Sequence, residues 1–139
     1  MGCAVGQMAS FSKTITETDV YGFAGITGDF NPLHVNAVKA EAGRFGERIA
    51  HGMLSASFIS TVIATRLPGP GTIYMGQEVR FLNPVRFGDT ITATVVIEEL
   101  LDRGRVRLHT FVENQKGETV VDGYALVKLP RKEGEGENG

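Results

Sequence analysis

A window from Gly52 to Leu67 places Met53, Leu54, Ala56, Phe58, Ile59, Val62, Ile63, Ala64 and Leu67 on every side of a helical wheel. A helix that is apolar all round must be enclosed. Ser55, Ser57, Ser60, Thr61 and Thr65 interrupt the window, which falls short of the ~20 apolar residues that span a bilayer. The enclosure therefore has to be protein. Pro68-Gly69-Pro70-Gly71 stops the helix. Four β-branched runs follow, at 73–81, 90–100, 105–114 and 119–129, divided by Asn83-Pro84, Arg103-Gly104 and Lys116-Gly117 turns. In the third run Val106, Leu108, Thr110 and Val112 alternate with Arg105, Arg107, His109, Phe111 and Glu113, so one face is core and the other wet. With an early strand at 11–15, the pattern predicts an α+β fold in which an antiparallel meander of about five strands curls around one central helix.

The front of the chain reads as helices and turns. Thr16-Glu17-Thr18-Asp19 has the capping-box form, which predicts a helix over 17–26 with Val20, Phe23 and Ala24 buried and Gly28 beyond its end. Asp29-Phe30-Asn31-Pro32-Leu33-His34 reads as a rigid loop, because Pro32 fixes one dihedral and drives Asn31 out of the helical region. A short amphipathic stretch at 37–43 leads on to Ala50-His51-Gly52-Met53-Leu54. The 139 residues leave room for one domain. It is placed at 11–130, between a flexible start at 1–10 and a charged, Gly-rich, disordered tail at 131–139.

Charge removes some partners. Lys and Arg number 14 against 16 Asp and Glu, a net charge of −2, far from the basic excess that nucleic-acid binding needs. Neither a nucleic-acid nor a membrane partner is expected. The single cysteine, Cys3, has no partner for an internal disulfide, and the first ten residues carry no secretory signal, which together point to a reducing, cytoplasmic setting.

The segments Asp29-Phe30-Asn31-Pro32-Leu33-His34 and Ala50-His51-Gly52-Met53-Leu54 carry a family resemblance, with Leu67 to Tyr74 and Arg80-Phe81 through Asn83-Pro84-Val85 beside them. The chain resembles the MaoC-like, (R)-specific enoyl-CoA hydratase family over nearly its whole globular part. The resemblance implies a hotdog fold and hydration of trans-2-enoyl-CoA to (R)-3-hydroxyacyl-CoA, a product drawn from β-oxidation intermediates. It assigns the catalytic pair to Asp29 and His34, a supporting role to Asn31, and the thioester oxyanion donor to the Gly52 amide. Adding water across an unsaturated thioester needs a base for the water, a proton for the α-carbon and a stabiliser for the oxyanion. A carboxylate and an imidazole across a Pro-stiffened loop can meet the first two needs, and the N-H groups at a helix start the third.

Other residues carry less. His51 is expected to orient the loop by hydrogen bonding, with a catalytic role as the alternative. Ser60 and Ile63 are assigned to the border of an acyl tunnel, while Ser57 and Ser60 are read as back-bonded core hydroxyls rather than nucleophiles. His109 falls on the wet strand face. No metal is expected, since Asp29, His34 and His51 lack a tight ligand spacing, and no redox cofactor is implied. Two other functions stay open: a hotdog acyl-CoA thioesterase, and an acyl-CoA binding module without turnover. The resemblance further implies a homodimer paired edge to edge, with the acyl-CoA touching both chains.

Overall fold

Alternating strands in the back half of the chain become the centre of one antiparallel sheet. The computed structural model describes residues 3–131. In chain order it contains β1 (Met8–Thr14), α1 (Glu17–Thr27), α2 (Pro32–Val35), α3 (Ala37–Glu41), α4 (Gly52–Thr65), β2 (Ile73–Phe81), β3 (Thr90–Leu100), β4 (Arg105–Glu113) and β5 (Thr119–Lys128). The sheet order is β1-β3-β4-β5-β2, antiparallel throughout. Ala93, Val95 and Ile97 of β3, Val106, Leu108 and Val112 of β4, and Val121, Ala125 and Val127 of β5 form the inner face. They close on Leu54, Ile59, Val62 and Ile63 of α4.

Three expectations are corrected. The start of the chain is not flexible through Ser10: Met8, Ala9 and Ser10 pair with Val96, Val95 and Thr94, and the Gly6 amide donates to the Ile97 carbonyl at 2.8 Å. Alternation in this stretch is masked by small residues, which is why the strand looked shorter. The meander holds only for β3-β4-β5, because β2 joins the far side of β5 instead of pairing with β3. A short turn could have paired β2 with β3, but the connection between them is longer and is pinned across the start of α4, where the Ala50 amide donates to the Val85 carbonyl at 2.8 Å and Ile49 bridges Arg86. Finally, α4 is covered on one face only. Met53 is 59% exposed, and Ser57, Ser60 and Ala64 are exposed with it, since a single sheet can shield one side of a helix. The expected tail at 131–139 lies, beyond Arg131, outside the described residues. Among the described residues, no helix is long and apolar enough to cross a membrane.

The helix α1 begins as its sequence directs. Thr16 Oγ1 accepts from the Asp19 amide at 3.1 Å, and the Thr16 amide donates to Asp19 Oδ2 at 2.9 Å. A hydrogen bond from Lys13 at 2.7 Å holds the Asp19 carboxyl below the usual carboxylate range, with burial opposing it. Gly28 ends the helix at φ 81°, and its amide donates to the Ala24 carbonyl, a left-handed turn that glycine makes without strain.

A second glycine fixes the edge strand. A Cβ at Gly123 would stand 1.8 Å from the Glu78 carbonyl oxygen on β2. The obstacle is backbone on both sides, so it cannot swing away. Gly123→Ala is expected to separate β2 from β5 at a cost of about 3 kcal/mol or more, read as lost thermal stability and as faster amide exchange along β2. Unchanged melting would show that the two strands can shift without penalty.

Candidate active site

The turn after α1, the short helix α2 and the start of α4 meet at one point. Asp29 Oδ1 accepts from the Asn31 amide at 3.2 Å, and Asn31 Oδ1 accepts from the Leu33 amide at 3.1 Å. Asn31 is thus the N-cap of α2, with Pro32 at its first turn. The rigid loop expected at 29–34 is therefore in part a helix. Its single turn carries His34 inward to 8% exposure.

Each histidine is fixed by a backbone carbonyl. His34 Nδ1 lies 2.8 Å from the Ile49 carbonyl oxygen, and His51 Nε2 lies 3.0 Å from the Asp29 carbonyl oxygen. A carbonyl can only accept, so both nitrogens carry protons. In the neutral rings this leaves His34 Nε2 and His51 Nδ1 as the acceptors. The two rings stack with centroids 3.9 Å apart and an interplanar angle of 27°, and Phe23 of α1 packs against His51 at 4.9 Å. His51 is 2% exposed, and its ring bonds the backbone at Asp29.

Asp29, His34 and His51 each offer a ligand atom within 4.8 Å of the others. The same three groups could hold a cation or share protons with one substrate molecule. They face a cavity of about 660 Å³, lined also by Gly52, Ser55, Arg44, Phe45 and the connection from Phe81 to Val85. The cavity joins acid-base groups on one wall to apolar surface on the other, as a small-molecule site does.

Not all the expected residues reach this cavity. Asn31, Ser60 and Ile63 are absent from its lining. Asn31 is exposed and spends its carbonyl on the cap, Ser60 is exposed on the open side of α4, and Ile63 is 2% exposed in the core. Ser57 back-bonds to the Leu54 carbonyl at 2.6 Å as expected, though on an exposed side. His109 sits on the outer sheet face, bonded to Asp122 at 2.8 Å. Sequence reasoning missed Ser55, Arg44, Phe45 and Leu82. No periodicity marks them, because the crossing of the β2-β3 connection brings Leu82 to the site.

Gly52 is the first residue of α4, and no side chain caps that helix start. Among the described residues, no acceptor takes the Gly52 or Met53 amide hydrogen, and both residues line the cavity, so a helix start with free donors and partial positive charge stands at its wall. A Cβ at Gly52 would come within 2.7 Å of the Phe81 ring. Phe81 is 52% exposed, so its ring can swing. Gly52→Ala is expected to lower both thermal stability and any activity of this site. Adding Phe81→Ala should restore melting while the rate stays about a hundredfold down, since the methyl group still obstructs the amide. Recovery of both in the double variant would reduce Gly52 to a packing role.

Comparison with known proteins follows the same lines. The family model described as MaoC like domain matches residues 4–121. An (R)-specific enoyl-CoA hydratase of Rhodospirillum rubrum is 49% identical over 127 residues, spanning 91% of this chain and 88% of that protein. A 3-hydroxybutyryl-CoA dehydratase of Methylorubrum extorquens is 47% identical over 93% of this chain and 82% of its own length. Among solved structures, an unliganded R-hydratase of Pseudomonas aeruginosa superimposes with a TM-score of 0.90 at 48% identity, covering 94% of this chain and 84% of that one.

Proposed function

Because the chain belongs to the MaoC-like domain family, we propose that it is an (R)-specific enoyl-CoA hydratase, adding water to trans-2-enoyl-CoA to give (R)-3-hydroxyacyl-CoA. The observation that carries this reading is the convergence of Asp29 and His34 on one cavity whose wall includes an uncapped helix start. Water placed between the Asp29 carboxylate and His34 Nε2 donates a hydrogen bond to each. Asp29 takes one proton of the water as its oxygen bonds to C3 of the enoyl chain and passes that same proton to C2, while the new hydroxyl keeps the second and donates it in a hydrogen bond to His34 Nε2. The dyad ends as it began. Negative charge on the thioester oxygen during the addition is met by the Gly52 amide. His51 holds the Asp29 backbone still while the charges move.

A thioesterase would need its carboxylate directed at the carbonyl carbon; the pairing of Asp29 with His34 favours attack at the double bond. No metal enters the scheme, because Asp29, His34 and His51 act in it as proton carriers and anchors. Ser60 and Ile63 bound an acyl tunnel only if it runs along α4 beyond the cavity, and Asn31 supports the dyad through the turn it caps. The product is a building block of the kind implied by the relative from A. caviae, an (R)-hydratase involved in PHA biosynthesis. We place the protein in a reducing, cytoplasmic setting, the reading that a single cysteine suggests.

Asp29→Asn and His34→Ala should each lower the hydration rate of crotonyl-CoA by ~10²- to 10⁴-fold in folded protein, and the double variant should be little worse than the weaker single one. Loss of enoyl absorbance and chiral analysis of the product are the measurements. Dialysis against a chelator is expected to leave the rate intact. A rate abolished by the chelator and restored by a divalent ion would recast the three residues as metal ligands.

We also infer a homodimer paired along β2. That strand is one of the two sheet edges, and Ile73, Tyr74, Met75 and Phe81 on it are 57%, 38%, 51% and 52% exposed, a bare apolar edge that isolated proteins avoid. Light scattering is expected to give twice the 15.0 kDa chain mass. A fully active monomer would remove this assignment.

A further inference from the structure

Two buried polar atoms at the site have no hydrogen-bond partner among the described residues: His51 Nδ1 and Ser55 Oγ. Both residues line the cavity beside Asp29 and His34, at 2% and 1% exposure. His51 is the N-cap of α4 and Ser55 lies one turn on, its amide donating to the His51 carbonyl at 3.4 Å, so both side chains leave the same end of the helix. Their chemistry is complementary. His51 Nε2 already donates to the Asp29 carbonyl, so Nδ1 of the neutral ring can only accept. A hydroxyl can donate.

The behaviour of Ser55, the buried helical hydroxyl without a partner, differs from that of three other hydroxyls in helices of this chain. Thr27, Ser57 and Thr65 each donate to a carbonyl three or four residues back, the usual way to satisfy a helical hydroxyl. Ser55 makes no such bond, and buried polar groups are rarely left alone. We infer that Ser55 is a positioning residue whose hydroxyl donates to His51 Nδ1, by a turn about χ1 or across one bridging water, and so locks the ring tautomer that holds the Asp29 loop. Nδ1 cannot then take the proton from Nε2, and the His51 bond to the Asp29 carbonyl persists through each turnover.

This inference rests on the hydratase reading only for its kinetic arm. The chain has three histidines, so nitrogen-15 spectra of labelled imidazoles resolve each ring. In the wild-type protein His51 is expected to show a protonated Nε2 and an Nδ1 signal displaced by an accepted hydrogen bond. In Ser55→Ala, which removes one atom and leaves room, the Nδ1 signal should move toward that of a free acceptor and the second tautomer should become visible. With crotonyl-CoA, kcat should fall between about ten- and a hundredfold while KM changes little, and the melting temperature should drop.

Identical His51 signals in the two proteins overturn the inference, whatever happens to the rate. So does an unchanged kcat, or a melting temperature that rises because an unsatisfied hydroxyl has been removed. If the wild-type protein hydrates no enoyl thioester, the spectra still decide the Ser55–His51 bond, and failure of the hydratase reading is told apart from failure of this one.

Discussion

Water is kept from one side of α4 by the inner face of a single five-stranded sheet, and the site of the molecule is placed by that one contact. Leu54, Ile59, Val62 and Ile63 face Ala93, Val95, Leu108, Val112 and Val127, and truncating a buried Ile or Leu to Ala in such a core typically costs 2–5 kcal/mol. Because the sheet holds the helix along one side, the helix N-terminus emerges at an edge where β2 must cross to β3. The crossing segment and the α1-α2 turn both reach that point. Backbone bonds from Ala50 to Val85 and from Ile49 to Leu33 fasten them there. The site is thus a consequence of where the core helix begins.

Much of this was legible in the residues. Thr16 and Asp19 announced the start of α1, Gly28 its end, and the strand alternation from Val106 to Val112 gave the inner and outer faces directly. The pair Asp29 and His34 was assigned by the resemblance of its segment to the MaoC-like family, and the structure brings both residues to one cavity. Strand order could not be read, since the hydrophobic pattern of β2 is the same whether it pairs with β3 or with β5. The exposed side of α4 was hidden for a related reason: Met53 and Ala64 count as apolar on a wheel, but a wheel does not say how many sides a neighbour covers. Ser55 escaped notice because its importance lies in the lack of a bond, which only coordinates reveal.

Rigidity at this site comes from the backbone and not from side-chain ion pairs. The Ile49 carbonyl sets the His34 tautomer, the Asp29 carbonyl sets that of His51, and the proposed oxyanion donor is itself an amide. Carbonyls and amides carry no titratable proton, so the frame keeps its polarity whatever the protonation of the groups it holds. The groups proposed to move protons are held by groups that cannot. Such a frame needs little reorganisation as charge develops, which is the condition for strong electrostatic stabilisation of a transition state.

The edge strand and the chemistry share a residue. Phe81 is the last residue of β2, its ring lies where a Gly52 Cβ would stand, and it lines the cavity while remaining half exposed. Leu82, next to it, is 49% exposed and lines the cavity too. A strand added along β2 would cover the open side of this pair. Its effect would pass through the Phe81 ring to the first amides of α4, less than one turn from His51. Phe81 thus stands both at a sheet edge and on the cavity wall, so the proposed pairing along β2 and the proposed oxyanion amide meet at one aromatic ring.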